Sequence, residues 1–333
     1  MRKTVLITGA SGFIGNCLID EALSRDYDIY AFVRKSSNIK QLQNKPITII
    51  TVDFFDYSSI IESLRSLPTI NFILHTAGVT KAYFEEDYVY GNEHLTQAFI
   101  NALIYCKYNP KLFVYFSSLA AWGPGNSETF APIYNNSIPS PITSYGKSKL
   151  NAEKIVRNQT LFPYIVLRPT AVYGPGEKDF FQTIKLINKH FNFNLGFHNQ
   201  YFTFIHVCDL VKVTFDFLES EIRNKSYFVS DGNIYSKKEF GNLVAKHLNK
   251  KVFHITVPVA LVKIIAYLLE SYSLFSKKPA PVLNYEKVDE LCAKNWICDC
   301  NPLVNDIGFD AKYNLNEGIN QTIDWYKKEK WLQ

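Results

Sequence analysis

Short apolar runs alternate with longer amphipathic stretches through the first half of the chain. The apolar runs are rich in Ile, Val, Phe and Tyr, which favours buried strands. They cover residues 4–8, 28–33, 47–52, 71–76, 111–117 and 164–168. The stretches between them predict helices over Ile14–Leu23, Ser58–Leu67, Glu93–Tyr105 and Ser144–Arg157. Because strand and helix alternate so regularly, the pattern predicts an α/β fold built on a Rossmann-type, doubly wound parallel sheet.

The pattern loosens after Arg168. A loop rich in Gly and Pro, residues 169–180, precedes a predicted helix, Phe181–Lys189. Strands predicted at 203–207, 226–232 and 252–257 then mix with helices. A chain of 333 residues is long enough for such a second region. We expect a sheet domain over residues 1–170 and a smaller mixed C-terminal region over 171–333, with elements near 203–232 returning to the sheet.

The most apolar stretch lies at residues 257–269, "VPVALVKIIAYLL". It contains Lys263 and is shorter than the ~20 residues that span a bilayer, so we expect no transmembrane segment. The pattern predicts a buried or substrate-facing helix, followed by "YSLFSKKPAP" at 272–281. A surface helix that dips into lipid is the alternative.

Charge and cysteine usage exclude several classes of protein. The formal charge of +5 is spread along the chain, which does not favour a nucleic-acid partner. The six cysteines are scattered apart from Cys298 and Cys300, so we expect free thiols and no metal site. The apolar run at 4–8 is too short for the core of a signal peptide, and we expect a cytoplasmic protein.

A glycine-rich loop, "TGASGFIG", follows the first predicted strand directly. Gly9, Gly12 and Gly15 allow a tight turn, close approach of a pyrophosphate and packing of a helix N-terminus against the strand. The strand, the loop and the helix follow in the order that dinucleotide binding requires. The 1–170 domain is therefore predicted to bind NAD(P), with Ser11, Phe13 and Ile14 also at the cofactor.

The end of the second predicted strand bears on the choice of cofactor. NAD sites usually carry a carboxylate there, whereas Val33 is followed by Arg34 and Lys35. A 2′-phosphate would meet two cations, so NADP is predicted to be preferred over NAD. The alternative is that Arg34 stacks on the adenine and tolerates both cofactors.

Two tyrosines precede a lysine by four residues, Tyr145 with Lys149 and Tyr326 with Lys330. Spacing alone does not choose between them. On a helix either pair would share one face, because residues i and i+4 are neighbours.

Six segments in order resemble the extended short-chain dehydrogenase/reductase (NAD-dependent epimerase/dehydratase-like) family: "TGASGFIG", "VDFFD", "HTAG", "FSSLAAWG", "YGKSK" and "RPTAVYGPG". The resemblance covers nearly the whole chain and implies that Tyr145 and Lys149 are the catalytic pair. It further implies a catalytic Ser118 with Ser117 as its neighbour, and Asn92 behind the lysine. The implied cofactor contacts are Asp53, Phe54, Thr76, Ala77, Gly78, Ser117, Tyr145, Lys149, Pro169, Thr170 and Val172.

The resemblance explains the residue types. A tyrosine with an ordinary pKa of about 10 must exchange a proton with a carbinol oxygen near neutral pH. A lysine ammonium and the positive ring of an oxidised nicotinamide would stabilise the phenolate. Ser118 would donate a hydrogen bond to the substrate oxygen.

Two departures from the family bear on the substrate. Nucleotide-sugar members carry an asparagine and an arginine for the diphosphate, where this chain has Ala171 and Phe202. Without the asparagine and the arginine, the pocket would lack charge-assisted hydrogen bonds to a diphosphate and would be apolar. The alternative is that Ala171 and Phe202 pack in a core while Lys178, Lys185 or Lys189 binds phosphate.

The residues "FIHVCDL" include His206 and Asp209, which we interpret as structural residues that join the two regions. The C-terminal tail resembles the branch of hydroxysteroid dehydrogenases and dihydroflavonol reductases.

The sequence thus predicts an oxidoreductase that interconverts a ketone and a secondary alcohol on a mostly apolar small molecule. The alternatives are a nucleotide-sugar epimerase or dehydratase with tightly bound NAD, and a non-catalytic scaffold. Family members commonly dimerise, and we expect a homodimer through Glu93–Tyr105 and Ser144–Arg157.

Overall fold

The computed structural model describes residues 2–276, 281 and 283–332. The strands of these residues are β1 (Thr4–Thr8), β2 (Asp28–Val33), β3 (Thr48–Thr51), β4 (Phe72–His75), β5 (Leu112–Phe116), β6 (Tyr164–Pro169), β7 (Ala171–Tyr173), β8 (Phe191–Leu195), β9 (Tyr201–Phe202), β10 (Phe204–His206), β11 (Lys225–Val229), β12 (Tyr235–Ser236), β13 (Phe253–Val257) and β14 (Asn295–Trp296).

The helices are α1 (Phe13–Ser24), α2 (Tyr57–Arg65), α3 (Glu85–Tyr88), α4 (Leu95–Tyr105), α5 (Ser144–Asn158), α6 (Asp179–Asn188), α7 (Val207–Glu219), α8 (Lys237–His247), α9 (Val259–Phe275), α10 (Tyr285–Cys292), α11 (Asn301–Ile307) and α12 (Leu315–Lys328). A π-helical segment, Val89–His94, leads into α4, and a 3₁₀ turn covers Leu119–Ala121.

A seven-stranded parallel sheet forms the centre of the molecule, in the order β3-β2-β1-β4-β5-β6-β11. The predicted Rossmann-type sheet is confirmed, and the six strands expected up to residue 168 begin and end within one residue of their predicted bounds. The strand order reverses beside β1 and β4. Ligands of open α/β sheets bind at the carboxyl ends of the strands at such a point.

Helices cover both faces of the sheet, as the alternating pattern requires. On one face, Leu18 of α1 and Leu210 of α7 pack against β1 residues such as Val5. On the other face, α2, α4 and α5 pack around Leu6 and Phe113. The near-continuous apolar strands are therefore buried on both sides, which is characteristic of a parallel sheet.

The remaining elements form an outer region beside the carboxyl ends of the sheet strands. β7 pairs with β10, β9 lies between β12 and β14, and β8 pairs with β13. A separate core joins α6, α8 and α12. The late strand β11 returns to the central sheet beside β6. The division at residue 170 stays a prediction.

The apolar stretch at 257–269 forms a helix, but the prediction that this helix is buried was wrong, and the substrate-facing interpretation stays a prediction. The helix, α9, begins at Val259 after Pro258 and continues to Phe275. Only Val262, Ala266 and Ser273 of this helix are buried, because only one stripe of it is covered by other parts of the protein. Residues 277–280 of the "YSLFSKKPAP" segment lie outside the described residues. Within the described residues, no helix has the length and apolar character needed to cross a membrane.

Candidate active site

The loop after β1 has the shape that a dinucleotide pyrophosphate requires. Gly9 adopts a φ of +68°, and a Cβ there would lie 2.7 Å from the Ala77 backbone nitrogen. A Cβ on Gly15 would lie 2.3 Å from the Gly9 carbonyl oxygen. Gly12 is the cap residue of α1 and, as a glycine, has no side chain that could bond to the helix. The first-turn N–H groups of α1 are therefore left without a side-chain cap. Ser11, Phe13 and Ile14 lie beside these glycines at the start of α1.

Arg34 and Lys35 follow β2 at the surface, where both side chains are exposed. The Arg34 backbone closes a turn with Ser37, which holds this position at the end of the strand. Neither side chain forms a salt bridge with another described residue, although salt bridges are frequent elsewhere on the surface. Both cations are thus open to an anionic group.

Asp53 and Phe54 follow β3 and differ in exposure. Asp53 is exposed, and its carboxylate accepts a hydrogen bond from the Phe55 N–H at 2.9 Å. The Phe54 side chain is buried, with edge-on contacts to Phe32 and Phe99. Only the backbone of Phe54 can therefore face a cofactor.

The segment after β4 is tied to the π-helical turn before α4. The Thr76 hydroxyl donates to the Thr8 carbonyl at 2.7 Å, which fixes Ala77 and Gly78 beside the glycine loop. The Asn92 side chain accepts from Val79 N–H and donates to the Ser148 hydroxyl, both at 2.9 Å. A Cβ on Gly78 would lie 2.5 Å from Asn92 Oδ1, so this backbone has to be bare.

Three of the predicted catalytic side chains converge where β5 and α5 meet. Ser118 caps the 3₁₀ turn after β5, and a hydrogen bond joins its side chain to Tyr145. Lys149 lies one turn beyond Tyr145 on α5 and donates from Nζ to the Phe116 carbonyl at 2.7 Å. Thr143 caps the helix by accepting from Gly146 N–H at 3.1 Å. Tyr145 and Lys149 therefore face the sheet together.

Burial sets the charge states of this pair. It lowers the pKa of Lys149 from 10.5 to about 8. Burial also raises the pKa of the Tyr145 phenol, whereas the hydrogen bond from Ser118 lowers it. The sequence-based expectation combined the lysine ammonium with the positive ring of an oxidised nicotinamide, and their joint effect on the phenol stays a prediction.

Four further predicted residues line the carboxyl ends of β5 and β6. Ser117 is buried, and its hydroxyl has no partner among the described residues. The Thr170 N–H donates to the Val229 carbonyl at 3.1 Å. Pro169 ends β6 and Val172 lies in β7. An unpartnered buried hydroxyl at the carboxyl end of β5 fits a polar ligand.

These residues fit a nicotinamide dinucleotide. The glycine loop would hold its pyrophosphate, Arg34 and Asp53 would border its adenosine end, and Ser117 with Thr170 would border its nicotinamide end. No group of three or more His, Cys, Asp or Glu side chains within the described range is placed to hold a metal ion.

The two substrate-side departures have different surroundings. Ala171 is exposed, so the alternative that it packs in a core does not hold. Phe202 is half-buried and packs against two core clusters, as that alternative expected. Lys178, Lys185 and Lys189 are all exposed and lie on one face of α6 and its C-terminus.

His206 and Asp209 are placed for structure. His206 is buried against Tyr313, and burial lowers its pKa to about 4. The Asp209 carboxylate accepts from the Lys312 and Tyr313 N–H groups, both at 3.0 Å, which ties α7 to the C-terminal segment. Tyr326, the tyrosine of the second Tyr–Lys pair, is buried in α12 and donates to the Glu177 carbonyl.

Sequence reasoning missed two contacts that brace α5. Arg168 is 2% exposed and forms a two-pronged ion pair with Glu153, while its guanidinium stacks 3.5 Å from the Trp122 ring centre. The Glu286 carboxylate of α10 accepts from the Ser144 backbone N–H at 2.8 Å and from its hydroxyl at 2.7 Å. A charged residue at the end of an apolar strand was the only available signal for the first contact.

All six cysteines are free. The Cys298 and Cys300 sulfur atoms are buried and lie 3.9 Å apart.

Known proteins resemble the chain over nearly its whole length. A UDP-glucose 4-epimerase of Vibrio cholerae is 24% identical and covers 97% of this chain and 95% of its own. A ceramide reductase of Caulobacter vibrioides is 24% identical, with 99% and 96% covered. The Bordetella bronchiseptica enzyme WbmG, solved in complex with NAD, superposes with a TM-score of 0.79 at 18% identity and covers 98% and 95%.

A family model settles the assignment. The model described as the NAD dependent epimerase/dehydratase family matches residues 5–229, which include the six segments that resemble the family and the catalytic candidates. This match confirms the resemblance inferred from the motifs, whereas the closeness to the hydroxysteroid dehydrogenase branch stays a prediction. The chain belongs to the NAD dependent epimerase/dehydratase family.

Proposed function

We propose that the protein is an oxidoreductase that interconverts a ketone and a secondary alcohol on an apolar, lipid-like molecule. The observation that carries the proposal is the exposed methyl of Ala171 beside the predicted nicotinamide end, where nucleotide-sugar members place an amide. With Phe202 in place of an arginine, neither position offers a hydrogen bond or a charge to a diphosphate. An apolar substrate loses nothing at these two positions.

The site residues have defined roles in this proposal. Tyr145 transfers its hydroxyl proton to the ketone oxygen, and Ser118 donates a hydrogen bond to the same oxygen. When bound, a nicotinamide cofactor supplies the hydride that converts the carbonyl carbon to a carbinol. Lys149 holds an ammonium beside the phenolate that Tyr145 becomes, and Asn92 fixes the first turn of α5 through Ser148.

Two comparisons bear on the substrate. The Caulobacter relative is named for the reduction of a ceramide, which is a long-chain lipid. The Vibrio relative is named for epimerisation of a nucleotide sugar, which supports the second candidate function, a nucleotide-sugar epimerase with tightly bound NAD. Exposed Lys185 and Lys189 would supply phosphate contacts in that case.

Cofactor content and substrate turnover separate the two functions. We expect the purified protein to release little NAD on denaturation and to oxidise NADPH when given a long-chain ketone in detergent micelles. Stoichiometric NAD together with conversion of UDP-glucose to UDP-galactose would overturn the proposal. The Tyr145→Phe variant should lose about a thousandfold in kcat/KM, since the proton donor is removed. Tyr326→Phe is the matched control, because it alters the other Tyr–Lys pair and should keep the activity.

NADP(H) is the preferred cofactor in this proposal. The support is that Arg34 and Lys35 are exposed at the end of β2 and form no salt bridge with another described residue. In the same assay, Arg34→Asp should shift the ratio of NADPH to NADH turnover toward NADH by about tenfold or more. An unchanged ratio would remove this part of the proposal.

A further inference from the structure

Helix α9 leaves its most apolar surface facing solvent. Ile264, Leu268 and Phe275 are 57%, 59% and 91% exposed, and their spacing places them on the side opposite the buried Val262 and Ala266. Other large apolar side chains of this helix are also exposed, namely Leu261, Ile265, Tyr267, Leu269, Tyr272 and Leu274. Patches of this kind mark an interaction surface.

The charged groups of α9 do not interrupt this surface. Lys263 pairs with Asp289 of α10 at 2.7 Å, and Glu270 accepts from the Tyr285 N–H at 3.3 Å. Both groups therefore lie at the edge that α10 covers. The outward side of the helix carries only apolar side chains, tyrosines and one serine.

A second apolar surface adjoins the helix. β8 and β13 pair in parallel, with Phe191 opposite Phe253 and Phe193 opposite Ile255. All four side chains are exposed, and they share one face of the two-stranded sheet because they are in register and two residues apart. The inward neighbours Asn192 and Asn194 are buried. Leu195, at the end of β8, packs against the covered stripe of α9, so the helix and the two-stranded sheet are adjacent.

Lysines border these surfaces. Lys189 and Lys251 are exposed and stand two residues before the first phenylalanine of β8 and β13 respectively. Residues 237–275 contain six lysines and two glutamates. Apolar side chains flanked by lysines match the interface of an anionic bilayer, where the headgroups meet the cations and the acyl region takes the rings. A homodimer formed through this surface would instead bring the lysines of the two copies close together, where their charges repel.

We propose that α9 and the β8–β13 face dock the protein onto an anionic lipid surface without crossing it. The helix has one covered stripe and an apolar outward side, which suits a helix that lies in the interface plane. It is also connected to the chemistry, since α10 packs on α9 and its Glu286 holds the Ser144 end of the catalytic helix. This link rests on the proposed function, in which a lipid-borne substrate would reach the protein on the side where α5 begins.

Vesicle co-sedimentation without substrate or cofactor tests this proposal. The full chain should pellet with vesicles of equimolar phosphatidylcholine and phosphatidylglycerol and release at high salt. The triple variant Ile264→Gln, Leu268→Gln, Phe275→Gln should lower the partition coefficient by more than about tenfold. The double variant Lys189→Glu, Lys251→Glu should bind the anionic vesicles less tightly, because it removes the attraction of these two cations to the headgroups.

The matched control replaces exposed apolar residues elsewhere, Ile138→Gln, Leu161→Gln and Val304→Gln, and should pellet like the wild type. Equal thermal melting of all variants shows that each is folded. The proposal is overturned if the wild type stays in the supernatant or if the α9 variant pellets equally. It is also overturned if the wild type is a dimer that ignores vesicles and the α9 variant is a monomer. Turnover of a short, water-soluble ketone without vesicles reports on the proposed function separately.

Discussion

Helices α5 and α9 reverse the usual relation between polarity and burial. The polar helix α5 buries Ser148, Lys149 and Glu153, whereas the apolar helix α9 exposes most of its large side chains. Burial of polar groups costs free energy unless they are bonded, and exposure of apolar groups costs free energy unless something covers them. The buried polar groups of α5 have such partners, whereas nothing described covers the exposed apolar side of α9, so the two helices meet the two costs differently.

The largest predicted change in the free energy of unfolding comes from breaking the buried ion pair between Arg168 and Glu153 of α5. Arg168→Met leaves the buried Glu153 carboxylate with the half-exposed Arg157, at 3.9 Å, as its remaining ion-pair partner among the described residues, and should lower the free energy of unfolding by about 3–5 kcal/mol. Denaturant unfolding measures this change. The double variant Arg168→Met, Glu153→Leu should regain most of it, since no charge stays buried. A single variant as stable as the wild type would show that the pair is not desolvated.

Replacement of Lys149 should have the opposite sign. Its folded pKa of about 8 lies below its ordinary 10.5, so burial of the ammonium costs about 3 kcal/mol at every pH below 8. Lys149→Met removes that cost but loses the hydrogen bond to Phe116, for a net gain of about 2 kcal/mol at pH 7.

The stability difference between the wild type and Lys149→Met should change with pH in a defined direction. As pH rises from about 8 to 10.5, folded Lys149 is already neutral while the unfolded chain still binds the proton, so the wild type becomes more stable relative to the variant. Chemical denaturation at pH 7 and pH 10 should therefore show the advantage of Lys149→Met shrinking. The exposed Lys154→Met on the same helix is the control and should change little at either pH. A pH-independent difference would contradict the assignment.

The smallest effect is expected on α9. Leu268→Gln should change the free energy of unfolding by less than about 0.5 kcal/mol, because the side chain already faces solvent. Val156→Gln, at a fully buried position of α5, should cost about 2 kcal/mol or more. If Leu268→Gln is as costly as Val156→Gln, another surface covers α9 in solution and the contrast between the helices is wrong.

Much of the sheet half could be predicted from the sequence, because its signals are local. Strand runs such as residues 28–33, the glycine loop and the i, i+4 spacing of Tyr145 and Lys149 each specify a short segment of structure. The segment before α4 could not be predicted in detail. Asn92 lies in a π-helical turn whose bonds to Val79 and Ser148 depend on contacts distant in sequence.

The outer half was less predictable for a physical reason. The composition of α9 indicates burial, but hydrophobicity states only that a surface avoids water and does not state what covers it. The bond between Glu286 and Ser144 joins residues 142 positions apart, and neither residue is part of a pattern that would suggest it. Roles of the site residues, the domain boundary and the homodimer stay predictions.

The Arg168–Glu153 pair also constrains how this chain can diverge. Neither residue can be replaced alone without leaving a charge enclosed beneath the catalytic helix, so a lineage can leave this state only by changing both positions. The two positions should therefore be inherited as a unit. Arg168 and Glu153, which contact no substrate in the proposed mechanism, should then be retained among descendants of this chain as strictly as Tyr145.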